Sequence, residues 1–70
     1  MDKTFSIRLS LVRELSSRRV TLEEFEKMLQ AYAKELDGNT VKLVVADLVI
    51  INNDHVELSK DGKLLLELIR

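Results

Sequence analysis

Seventy residues with no cysteine and a formal net charge of −1 leave room for one hydrophobic core; they exclude a disulfide framework, a thiolate metal site and polyanion binding by bulk charge. Hydrophobic residues make up 46% of the chain, and the only aromatics are Phe5, Phe25 and Tyr32, so stability rests on aliphatic packing, with a second subunit as a further source. No apolar run reaches bilayer length, and residues 1–6 lack the pattern of a signal peptide, which gives the expectation of a cytoplasmic protein that does not enter a membrane.

The first block runs to Arg19 and supports two patterns. Phe5, Ile7, Leu9 and Leu11 alternate with Ser6, Arg8 and Ser10 as in a strand. Phe5, Leu9, Val12 and Leu15 also form a helical stripe, with Thr4 as its cap and Arg18 and Arg19 at the negative end of the dipole. The helix is preferred. Residues 1–20 carry a net +3 and residues 21–37 a net −3, which reads either as a docking signature or as an internal match between neighbouring helices.

The second block is a helix from Thr21 to about Leu36. Thr21 and Glu24 make a Thr-x-x-Glu capping box, and Val20 and Phe25 stand where a hydrophobic staple belongs. Leu22, Phe25, Leu29, Tyr32 and Leu36 share a stripe, and Gly38 is expected as a left-handed C-cap. A third helix starts from Asn39 or Thr40 and turns Val41, Val44, Val45 and Leu48 to the core. The period then changes to two. Val49, Ile51, Val56 and Leu58 fit one face of a hairpin turning at Asn53-Asp54, with Ile51 opposite Val56 and Val49 opposite Leu58. After it, Ser59 caps a helix whose Leu64, Leu65, Leu68 and Ile69 face inward; the competing reading is a turn at Asp61-Gly62 followed by a strand.

The expected fold is therefore α+β and mostly helical: a three-helix core, a short β-hairpin at about 49–58 and a C-terminal helix, in a single domain spanning 1–70. In that order the chain resembles a winged-helix (winged helix-turn-helix) domain. The likeness is carried by Arg19-Val20-Thr21-Leu22-Glu23-Glu24-Phe25, at the entry to the second helix, and by residues 56–65, where a returning strand meets a capped final helix. A weaker likeness links residues 3–9 to the N-terminal strand of ribbon–helix–helix proteins, which would make the chain a DNA-binding dimer reading the groove through Thr4, Ser6 and Arg8.

The winged-helix resemblance implies a small DNA-associated regulator, dimeric, with its third helix in the major groove. The residues that would meet double-stranded DNA are Arg8, Arg13, Arg18, Arg19, Asn39, Thr40 and Lys42. The third helix departs from the pattern, because base reading favours Arg, Lys, Asn and Gln, whereas its outward positions include one lysine, Asp47 and the apolar pair Leu43 and Ala46. The alternative is a protein-interaction or adaptor module that docks, or dimerises, through Leu43, Ala46 and Ile50. Catalysis is not expected. His55 is the only histidine, the serines have no evident base nearby, and Asp54, His55 and Glu57 read as a polar turn rather than a metal site. No cofactor is implied.

Overall fold

A computed structural model describes residues 2–70. The elements in chain order are helix α1 (Lys3–Ser17), strand β1 (Val20–Thr21), helix α2 (Leu22–Tyr32), helix α3 (Gly38–Val45), one 3₁₀ turn (Ala46–Leu48), strands β2 (Val49–Asn52) and β3 (His55–Leu58), and helix α4 (Lys60–Ile69). The fold is α+β and mostly helical. Its antiparallel sheet has the order β1-β3-β2.

The first block is helical. Asp2, not Thr4, caps it by accepting the Thr4 N–H at 3.1 Å. The inward face is wider than the expected stripe: Ile7 and Leu11 are buried beside Leu9 and Val12, while Phe5 remains 42% exposed. The capping box at α2 forms in both directions, the Glu24 N–H donating to Thr21 Oγ1 and the Thr21 N–H donating to Glu24 Oε1. Val20 and Phe25 lie in one core with Leu11, Val12, Val45, Leu48, Val56 and Leu58.

Two boundaries differ from the sequence reading. Helix α2 stops at Tyr32, and residues 33–35 turn. Gly38 is not a left-handed cap, since no glycine among the described residues has positive φ. It opens α3, and Asp37 rather than Asn39 or Thr40 caps that helix. The reason is local chemistry. One Asp37 oxygen accepts the Thr40 N–H at 3.0 Å while the other accepts the Thr40 hydroxyl at 2.6 Å, a pair of hydrogen bonds that caps the helix from Asp37. In α3 and the turn after it, Val41, Val45 and Leu48 are buried as their spacing implies.

The hairpin has the expected register, with Ile51 opposite Val56 and Val49 opposite Leu58. Asn53 carries its turn at φ 60, a conformation asparagine tolerates better than most residues. Val56 and Leu58 are buried, but Ile51 is 60% exposed because β2 is the outer strand. Val20–Thr21 is a short strand that the residue pattern does not predict. It pairs with β3 through Val20–Val56 and Thr21–His55, and the Leu22 N–H continues the ladder to the Asp54 carbonyl at 2.8 Å.

The last block is a helix capped by Ser59, whose hydroxyl accepts the Gly62 N–H at 3.1 Å. Its inward face is rotated from the expected one. Gly62 is buried, Leu65, Leu66 and Ile69 pack on the core, and Leu64 and Leu68 point outward at 56% and 81% exposure. A Cβ on Gly62 would run into the Leu48 carbonyl, so this bare backbone sets which side of α4 approaches the 3₁₀ turn.

Candidate docking surface

The seven residues expected to contact DNA do not form one free basic face. Arg8 is spent internally: its guanidinium donates to the Val44 carbonyl at 2.7 Å and reaches both Asp47 oxygens at 2.8 and 3.1 Å. This fork ties α1 to the end of α3. It holds the Asp47 carboxyl below its ordinary range and pushes the Arg8 guanidinium further up. Arg18 bridges Glu14 at 3.0 Å and Glu24 at 2.8 Å, joining α1 to the first turn of α2. Glu24 is lowered chiefly by the Thr21 backbone N–H and next by Arg18. The opposite charges of the first two segments are thus partly matched inside the molecule.

The other cations are less engaged. Arg19 lies 3.0 Å from His55 Nδ1. Arg13 and Lys42 are exposed and make no ion pair or side-chain hydrogen bond among the described residues. Asn39 is exposed at the start of α3, and Thr40 is half-buried with its hydroxyl committed to Asp37. Around His55, Asp54 lies 3.7 Å from Nδ1 and Glu57 lies 3.7 Å from Nε2. Opposite ring nitrogens diverge, so these carboxylates do not converge with the imidazole on one point. Among the described residues no group of three or more His, Asp or Glu is placed to hold a metal ion.

The apolar candidates are in the open. Leu43 is 79% exposed on α3, Ala46 at the start of the 3₁₀ turn is exposed, and Ile50 is 53% exposed on β2. Two grooves flank the hairpin. One, of about 490 Å³, lies between α2 and α3, with Leu22, Phe25, Leu29, Ala33 and Ile51 along it and Glu26 and Lys42 at its rims. The other, of about 590 Å³, is bordered by Leu15, Arg18, Arg19, Ile50, His55 and Lys63. Ile50 and Ile51 therefore serve different grooves, and Ile50 does not line the groove that Lys42 borders. Sequence reasoning missed the α2–α3 groove because its floor is made of residues assigned wholly to the core stripe. Leu22 and Leu29 are only partly buried.

No helix among the described residues is long and apolar enough to cross a membrane. Comparison with protein-family models, with curated proteins and with solved structures finds no match to this chain.

Proposed function

We propose that the chain is a small non-enzymatic module of winged-helix type, working in the cytoplasm, that docks another protein through the outward side of α3 and the adjoining α2–α3 groove. The element order and the strand order β1-β3-β2 support the winged-helix reading, with β2 and β3 as the wing. The observation that carries the protein-docking reading is the surface of α3. Leu43 and Ala46 stand where a DNA reader needs polar hands, while Arg8 and Arg18 are held by carboxylates of the same chain.

The partner is a protein segment that presents an amphipathic helix. Leu22, Glu26 and Leu29 on α2, with Ala33 at its C-cap, span about 16 Å, which matches two to three turns of a docked helix. Glu26 and Lys42 on the rims offer opposite charges to fix its direction. A DNA-associated regulator is the second reading. It is favoured by the unpaired Arg13 and Lys42 and by the exposed Asn39 at the N-terminus of α3.

Amide NMR spectra of the full chain separate the two. Titration with a leucine-bearing amphipathic helical peptide is expected to shift amides of residues 22–33 and 38–51. Duplex DNA at about 50 mM salt is expected to leave them in place. DNA binding that weakens steeply between about 50 and 200 mM salt, with no response to the peptide, overturns the protein reading in favour of the regulator.

A further inference from the structure

Strand β2 is an open edge, and nothing about it is guarded. It lies outermost in the order β1-β3-β2. Residues 49–52 read Val-Ile-Ile-Asn, with no charge, no proline, and four unbroken partners on β3. Exposed edges are normally blunted by lysine, proline, a bulge or brevity, because their unpaired backbone groups template another strand. The opposite edge, β1, is protected by brevity at two residues. Strand β2 has none of these devices, and it displays Ile50 on one face and Ile51 on the other, at 53% and 60% exposure.

The ladder fixes which backbone groups are free. Asn52 and His55 close a two-residue turn, so they form a hydrogen-bonded pair, and Ile50–Glu57 is the next such pair along the strand. By that alternation, Val49 and Ile51 direct their N–H and C=O groups to the open side.

We propose that β2 pairs antiparallel with β2 of a second copy about a two-fold axis through Ile50, making one continuous six-stranded sheet. This register sets Val49 opposite Ile51 of the second copy, and the reverse, so that all outward groups of both residues hydrogen-bond. Ile50 meets Ile50 of the second copy as a non-hydrogen-bonded pair, the arrangement with the closest side chains, about 4.5 Å between Cα atoms. Every facing pair is β-branched and apolar, and no like charges oppose each other, so the strand is complementary to itself. The choice of a second copy over an unrelated strand rests on that symmetry. A shift by one residue is excluded, because it would pair side chains pointing to opposite faces of the sheet. The contact is made by the β2 backbone and by Ile50, which lies outside the α2–α3 groove; Ile51 also borders that groove, so self-association is read with no peptide present and its outcome is distinguishable from that of the docking reading.

The test combines sedimentation with cross-linking of the full chain. The protein is expected to dimerise within a range extending to about 1 mM. Ile51→Pro deletes an outward N–H while leaving the bonds to β3, and is expected to weaken dimerisation about tenfold or more with an unchanged circular dichroism spectrum. Ile50→Lys, which places two ammonium groups face to face, serves the same purpose if the proline variant does not fold. Because the chain has no cysteine, Ile50→Cys introduces a lone thiol, and it is expected to form a disulfide dimer much faster than Leu43→Cys, a control at a more exposed position. A monomer throughout the range overturns the proposal. So does a dimer unaffected by both β2 substitutions, or cross-linking at Ile50→Cys no faster than at Leu43→Cys.

Discussion

Replacing Gly62 with alanine has an effect opposite to the one helix propensity dictates. At an open helical position the change adds up to about 1 kcal/mol of stability. At Gly62 the added methyl meets the Leu48 carbonyl oxygen, and behind it the Leu48 carbonyl carbon at 3.3 Å and Leu58 Cδ2 at 3.0 Å. The first obstacle is backbone, fixed by the Ser59 N–H donating to that same carbonyl at 2.8 Å, so it has no rotamer through which to yield. Overpacking of this kind costs roughly 1–3 kcal/mol, and the propensity gain offsets only part of it. The net expectation is a loss of up to about 2 kcal/mol, or a fall in Tm of up to roughly 15 °C for a chain of this size. Gly38→Ala is the matched control. Its Cβ meets nothing within 4 Å and its φ is not positive, so it is expected to stabilise by about 0.4–1 kcal/mol. Differential scanning calorimetry of both variants reads the difference directly. If Gly62→Ala melts at or above the parent, the close approach of α4 to the 3₁₀ turn is not as described.

Three further outcomes follow from the polar links. A double-mutant cycle on Arg8→Ala and Asp47→Ala, read by urea unfolding, is expected to give a coupling of about 0.5–1 kcal/mol, since the pair is partly exposed; zero coupling would mean the fork contributes nothing in water. Ser59→Ala removes the α4 cap and its bond to the Asp47 carbonyl, and is expected to cost about 0.5–2 kcal/mol in the same assay. Glu24, Asp37 and Asp47 are all lowered in the folded state, so the unfolded chain binds protons first. Their stabilisation is present above the ordinary carboxylate range near pH 4 and is lost as pH falls through the lower folded values. Thermal melts should therefore decline below about pH 4, and less steeply in Asp47→Asn; a flat Tm across that range would contradict the lowered carboxylates.

Local signals in the sequence translated well. The capping box needs only Thr21 and Glu24, and the hairpin register needs only a period of two around one turn, so both are decided within about ten residues of chain. What escaped was settled by distant partners. Strand β1 is two residues long and exists because Val56 lies beside Val20. In α4 the run Leu64-Leu65-Leu66 fits two helical faces one residue apart, and the contact of Gly62 with Leu48 selects between them. At the candidate site, period alone turns Leu43 and Ile50 away from the core, but leaves open a sandwiched third helix buried all round; the 79% and 53% exposures decide it. The neutralisation of Arg8 was not legible, because its partner Asp47 lies 39 residues away. Of the opposite charges in the first two segments, Arg18–Glu24 is an internal match, while Arg13 carries no such pair.

The hairpin is fastened at both ends. At its base the Ser59 N–H reaches the Leu48 carbonyl, and at its turn the Asp54 carbonyl receives the Leu22 N–H from the start of α2. A ribbon riveted in this way cannot swing to meet a ligand as a free arm does. A contact at Asn53 or Asp54 would push on the second helix through the Leu22 amide and through the β1–β3 pairs beside it, so any recognition there would work by rigid fit. The amide protons of Leu22 and Ser59 should accordingly exchange with solvent more slowly than that of Asn53 in the turn.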